Sequence, residues 1–341
     1  MSDERRFLIG PGPHVRAADS TARIMWTVNA TLAPAALWGA YVFGARALLV
    51  LFAAVLGAAA AEALATIAFG EGTRGTRGGG RPAPWARLTD GSAVCTGLLL
   101  AFTLPPGLPP WMAAAGGAFG ILFGKAIFGG LGYNLFNPAL IGRAFMLATF
   151  PQAMTLSWTA PRAGLGRALD AVTTATPLAA LREHGVAEAL KLAAGAGGGS
   201  PWTSLVFGFR PGSIGEVSVV LIALGAAVLL WRRILTPTIP LAVFAGVAAT
   251  TAFSGAPLLH LLSGGLWIGA FYMATDYVTS PSTRRGQVVF GLVIGALTGI
   301  IRLYGGYPEG ICYAILLANA LVPALNVWFR PRRVALAGAP S

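Results

Sequence analysis

Apolar runs about as long as a bilayer is thick recur from residue 25 to residue 329, and most of the arginines fall in the gaps between them. A helix rises 1.5 Å per residue, so ~20 apolar residues cross the hydrocarbon. Where no water reaches the backbone, a spanning segment has to satisfy its own N–H and C=O groups, as a helix does. Only 11% of the residues are charged and 55% are hydrophobic, with a mean hydropathy of +0.69. A soluble domain has ~25% charged residues, so this chain cannot cover itself with a polar surface. The fold class that follows is an all-α integral membrane protein crossing many times.

Spans are expected near 25–44, 46–69, 91–104, 111–128 and 135–150, and then near 213–231, 236–254, 258–275, 286–304 and 310–329. That makes ten helices in two halves, residues 1–150 and 211–341. A mostly polar, glycine-containing loop at 151–210 separates them. The 46 glycines suit helices that pack closely in lipid. Residues 1–20 hold Arg5, Arg6 and Arg16 and lack the apolar core and cleavage site of a signal peptide. The net charge of +12 points to membrane orientation and not to nucleic acid, because the basic residues sit in short clusters beside the spans. A cytoplasmic N-terminus also puts Arg74, Arg77, Arg81 and Arg87, Arg232 with Arg233, Arg284 with Arg285, and the tail Arg330, Arg332 and Arg333 inside. Arg46, Arg302 and the long loop run against this, but long loops translocate largely regardless of charge. Both termini are then cytoplasmic and the 151–210 loop is periplasmic, as in a bacterial inner-membrane protein.

A weak internal repeat fits the same plan. Residues 91–109 lie over 264–282, and residues 129–144 over 305–320, at offsets of 173 and 176. Five spans per half is an odd number, so the second half is inverted relative to the first. Inverted repeats with interrupted helices place ligand or ion sites near their pseudo-symmetric centre.

Several polar residues fall at membrane depth. Lys125 precedes a glycine-rich stretch, residues 129–138, that contains Asn134 and Asn137 before Pro138. Two readings stand side by side: a backbone shaped to approach a flat ligand that the asparagines bind, or a broken helix end that they cap. Asp276 lies at the inner end of the eighth span. An intramembrane carboxylate is a candidate functional group, yet capping or pairing with Arg284 or Arg285 also explains it. Glu309, at the outer start of the tenth span, is its symmetric counterpart. Glu62 is the deepest carboxylate, and no partner for it can be named from sequence. Cys95 and Cys312 suit buried packing roles and form no disulfide framework, while His14, His184 and His260 are too far apart for a metal site. No serine–histidine–acid set and no Walker loop is present.

The long loop carries Asp170-Ala171-Val172-Thr173-Thr174-Ala175-Thr176-Pro177-Leu178. Hydroxyl residues before proline are ordinary turn chemistry. In this order, however, the stretch resembles the flavinylation signature of certain membrane redox subunits, in which the last Thr carries FMN through a phosphoester bond. The resemblance extends over nearly the whole chain. It takes in Asp90 to Ala93 with Thr96 to Leu100, the Leu104-Pro105-Pro106 break, the Lys125 to Pro138 run and Gly212 to Ser218. It continues through Ala274-Thr275-Asp276 with Thr279-Ser280-Pro281 and Arg285-Gly286, and Glu309-Gly310 with Tyr313 to Asn319. Together these are similar to RnfD, a membrane subunit of the Rnf electron-transport complex, and to its homologue NqrB in the sodium-pumping NADH:quinone reductase. Many relatives have Gly or Ser where Thr174 stands, so Thr173 and Thr174 are conceivable alternative acceptors.

The resemblance implies covalent FMN on Thr176, installed by a separate flavin transferase on an exposed, flexible segment, with Asp170, Thr173 and Ala175 forming the rest of the signature. Ser213 and Glu216 belong to a loop whose N–H groups can receive the flavin phosphate, or which simply caps the sixth span. The family also implies a non-covalent riboflavin in the membrane part, sought near Lys125, Asn134, Asn137 and Asp276, and a urea-channel-like fold. The implied role is a membrane subunit passing electrons in an ion-translocating ferredoxin:NAD oxidoreductase coupled to Na⁺ or H⁺. Partner subunits then supply the iron–sulfur centres and the contacts with ferredoxin and NAD, and membrane lipid surrounds the chain. The short N-terminal segment and the 341-residue length favour the Rnf type over the quinone reductase. A passive channel or a structural anchor would explain the spans but not the Asp170 to Thr176 stretch.

Overall fold

The structure is a computed structural model that describes residues 20–69, 89–161, 175–194, 200–216, 218–306 and 309–330. Every regular element among the described residues is helical. The first half contains α1 (Thr21–Phe43), α2 (Ala45–Phe69), α3 (Ser92–Phe102), α4 (Pro110–Ile121) and α5 (Pro138–Thr149). α4 runs on into a π turn, Leu122–Ala126. The middle segment, expected to be a polar loop, instead carries α6 (Pro151–Leu156), α7 (Pro177–His184), α8 (Val186–Ala194) and α9 (Pro201–Phe207). The second half has a 3₁₀ turn (Ile214–Glu216), α10 (Val219–Trp231), α11 (Thr238–Thr251), α12 (Pro257–Leu262) and α13 (Leu266–Ile268). A second π turn, Gly269–Met273, continues α13, and α14 (Arg284–Tyr304) and α15 (Ile311–Trp328) close the chain.

By length and composition α2, α14 and α15 are able to cross a membrane, and α3, α5, α10 and α11 are shorter apolar helices. With the similarities reported below, this makes the chain a membrane protein. The span expected at 258–275 is not one helix. It breaks after α12, where Gly264 and Gly265 take φ of 75° and 64°. A side chain would strain the backbone there, so the break depends on glycine. Gly91, which opens α3, has φ 77° for the same reason. The span expected at 91–104 yields only the 11 residues of α3, about 16 Å of helix, because Pro105 and Pro106 follow. The span expected from 213 starts as helix only at Val219, where the Ser218 hydroxyl accepts from Leu221 N at 3.3 Å.

Glycine sets how closely the long helices approach. A Cβ on Gly117 of α4 would run into the Ala54 carbonyl of α2, and one on Gly295 of α14 into the Val243 carbonyl of α11. One continuous core joins the two halves, with Leu100, Leu140, Met273 and Ile315 among its fully buried members. A smaller core under the middle segment holds Leu178 of α7, Ala189 and Ala193 of α8, Leu205 of α9 and Leu259 of α12. α7 is thereby packed onto the second half. Asp170, Thr173, Val217, the Arg-rich 71–88 stretch and the tail beyond 330 lie outside the described residues.

Candidate functional site

Two cavities gather the polar residues, and α5 passes between them. Asn137 and Pro138 at its start line one, while Arg143 and Leu147 further along line the other. The six steps from Asn137 to Arg143 rise about 9 Å along the helix.

The larger cavity, about 640 Å³, has Thr176 and Ala175 in its wall. Pro177 occupies the first turn of α7, where its missing N–H costs nothing. Thr176 is the N-cap, with extended backbone (φ −79°, ψ 154°), and its hydroxyl accepts from Ala179 N at 3.3 Å. Its side chain is therefore held at the helix start and mostly buried, in contrast with the exposed, flexible site expected for a modified threonine. Among the described residues of the signature, Ala175 leads into the helix and Thr176 caps it. That places Oγ1 at the positive end of the α7 dipole, where an anion is favoured. The facing wall comes from α5 and from the start of α15: Arg143, Glu309, Cys312 and Tyr313. Arg143 donates to the Thr103 carbonyl at the end of α3 and forms an ion pair with Glu309. An arginine in the middle of an otherwise apolar span is the signal in the sequence for this pair, and the polar residues singled out at membrane depth do not include it.

The second cavity, called inner for its expected orientation, contains all four residues grouped for the riboflavin that the resemblance implies: Lys125, Asn134, Asn137 and Asp276. It is much smaller, about 100 Å³. Both π turns border it, bringing Lys125 from one and Phe271 and Tyr272 from the other. π turns of this kind occur frequently at functional sites. Lys125 Nζ lies 2.8 Å from Glu62 Oε2 and donates to Ser92 Oγ at 2.7 Å, so the partner of Glu62 is Lys125, sixty-three positions away. Asn137 caps α5, its Oδ1 accepting from Ala139 N at 3.0 Å. The same side chain donates to the Met273 carbonyl at 3.2 Å and so fastens the two halves together. Asp276 accepts from Thr279 Oγ1 at 3.2 Å, and Asn134 Nδ2 donates to the Phe136 carbonyl at 3.2 Å. No ion pair of Asp276 with Arg284 or Arg285 is formed among the described residues.

Ser213 and Glu216 line neither cavity. Glu216 pairs with Arg210 at 3.0 Å and accepts from the backbone N–H of Gly264, and Ser213 Oγ reaches the same carboxylate at 3.4 Å. Arg302 completes this network by donating to the carbonyls of Ser263 at 2.9 Å, Gly264 at 3.1 Å and Glu309 at 2.9 Å. Two buried arginines and a glutamate thus hold the break between α12 and α13. His260 is buried beside Arg302 with neither ring nitrogen hydrogen-bonded. Cys95 lines the smaller cavity and Cys312 the larger; both are free and buried.

The sequence model of the NQR2, RnfD, RnfE family matches residues 8–335. The chain is 42% identical over 333 residues to the D subunit of the proton-translocating ferredoxin:NAD(+) oxidoreductase complex of Clostridium ljungdahlii, covering 95% of each chain. It is 38% identical to the D subunit of the Na(+)-translocating ferredoxin:NAD(+) oxidoreductase complex of Acetobacterium woodii, covering 97% of this chain and 96% of the other. It is 37% identical to the D subunit of the ion-translocating oxidoreductase complex of Rhodobacter capsulatus, covering 96% of both.

Proposed function

The chain belongs to the NQR2, RnfD, RnfE family, and from that premise we propose that it is the membrane flavoprotein subunit of an Rnf-type ion-translocating ferredoxin:NAD oxidoreductase, with FMN esterified to Thr176. The observation that carries this is the position of Thr176: an N-cap hydroxyl at the mouth of an eight-residue helix, in the wall of a cavity of about 640 Å³. That volume lies in the range of ligand sites, ~300–1,000 Å³. The residues fit the group. Oγ1 supplies the ester oxygen, the α7 N-terminus favours the phosphate's charge, and Leu147, Met154 and Trp158 give the cavity apolar wall for a ring system. FMN bound there supplies one-electron transfer, and the protein's part is to hold it and tune it. Leu178 and the small core beneath α7 fix the attachment point.

Riboflavin in the inner cavity is the second part of the proposal. Lys125, Asn134, Asn137 and Asp276 supply donors and an acceptor of the kind a flavin's polar edge uses. At about 100 Å³ the cavity admits a ring only if its lining parts. The ferredoxin and NAD sites belong to partner subunits, and a flavin transferase attaches the FMN. Ten spans in two inverted halves, with the termini cytoplasmic and Thr176 periplasmic, fit the same reading. Gly91 and Gly264, matched at the offset of 173, have φ of 77° and 75°; Gly91 is the N-cap of α3, and Gly264 directly precedes Gly265, the N-cap of α13. Lys125 reaches Ser92 at the start of the first of these helices, and Arg302 reaches the Gly264 carbonyl just before the second.

The test is in-gel flavin fluorescence of the denatured full-length chain, co-expressed with a flavin transferase. Wild type should give a fluorescent band and Thr176→Ala none. A dark wild-type band beside a modified control protein would sink the proposal.

A further inference from the structure

We propose that the buried Arg143–Glu309 pair sets the redox potential of the flavin in the Thr176 cavity, Arg143 as the cation that stabilises added electron density and Glu309 as the counter-charge that limits it. The inference rests on the reading of Thr176 as the flavin carrier.

Three charged residues line the cavity among the described residues: Arg143, Glu309 and Glu183. The Glu183 side chain, at the end of α7, is 68% exposed, and water screens it. The Arg143 and Glu309 side chains are only 5% and 14% exposed, so their fields act through protein and not through water. Both are fixed in place. Arg143 is tied to the Thr103 carbonyl and to Glu309, and Arg302 Nε holds the Glu309 backbone at 2.9 Å. A cation already in position costs no reorganisation when charge arrives.

The pair is also unevenly compensated. One Glu309 oxygen meets Arg143, while the other is buried with no hydrogen-bond partner. Buried polar atoms are nearly always bonded, and a clamp that only joined α5 to α15 would gain by satisfying that oxygen. Reducing the ring adds negative charge, which Arg143 favours and Glu309 opposes. The two residues therefore pull the potential in opposite directions.

The experiment is a spectroelectrochemical titration of the full-length chain, co-expressed with the transferase and purified in detergent. The wave absent from Thr176→Ala is assigned to the Thr176 flavin, and in-gel fluorescence is measured on every sample. Arg143→Gln should move that midpoint to more negative potential and Glu309→Gln to more positive potential, with Arg143→Lys closer to wild type than Arg143→Gln. Fluorescence should persist in all three variants. Midpoints that stay at the wild-type value, or that shift in the same direction for both Gln variants, overturn the inference. If Arg143→Gln does not accumulate, the near-isosteric Glu309→Gln decides alone, and the absence of a positive shift there is equally fatal. A wild type without fluorescence refutes the carrier reading itself, which separates that failure from this one.

Discussion

At the scale of single residues, Lys125 and Glu62 show what the bilayer demands of a charge. Each is almost fully buried, and each has the other as its counter-charge 2.8 Å away. Removing one partner leaves an uncompensated buried charge, a loss of about 3–5 kcal/mol. Lys125→Met should accordingly lower the thermal unfolding midpoint in detergent sharply, and adding Glu62→Gln should recover much of the loss. A single variant as stable as wild type would show that the pair is not formed. No sequence pattern joins two residues on different helices this far apart, so Glu62 could be singled out but not paired. Lys125, Asn134, Asn137 and Asp276 each stood out as polar residues in interrupted apolar spans, the family resemblance grouped them, and the fold brings the four to one cavity. Ser213 and Glu216 were grouped with the flavin by their place in the chain. Nothing in that order revealed that Arg210 and Gly264 engage Glu216.

At the scale of elements, hydropathy located the helices well and their interruptions poorly. The stretch from 46 to 69 is a single helix, α2, because no proline or strained glycine breaks it. The stretch from 258 to 275 is equally apolar but turns at Gly264 and Gly265, whose positive φ a hydropathy average cannot register. The four short helices of the middle segment escaped for another reason: each is six to nine residues long, too short to show a periodicity of its own, and α7, α8 and α9 are held by the small core. Helix contact through glycine gives a direct prediction. Gly117→Leu would force α4 away from the Ala54 carbonyl of α2. It should destabilise the protein by at least ~1–3 kcal/mol, read as a lower unfolding midpoint or lost expression in the membrane fraction. A Leu at Gly132, where nothing lies within 4 Å of the added carbon, should be milder on packing grounds, although its φ of 96° still carries backbone strain. Equal behaviour of the two variants would contradict close α2–α4 packing.

At the scale of the molecule, the two cavities share α5, one lined by Asn137 and Pro138 at its start and the other by Arg143 and Leu147 further along. Orientation is testable with one cysteine beside each cavity, since Cys95 and Cys312 are buried. A membrane-impermeant maleimide applied to right-side-out cells should label Glu183→Cys and leave Tyr133→Cys unlabelled until the membrane is opened. Both positions are well exposed, with the Glu183 side chain at 68% and Tyr133 at 73%. The reverse pattern would place Thr176 in the cytoplasm. The central claim is that this membrane subunit carries its flavin on Thr176, and tandem mass spectrometry of the tryptic peptide 168–182 from flavinylated full-length protein tests it most directly. The expected result is the mass of an FMN ester on that peptide, with fragment ions assigning it to Thr176. An unmodified peptide, or an adduct on Thr173 or Thr174, would contradict the account.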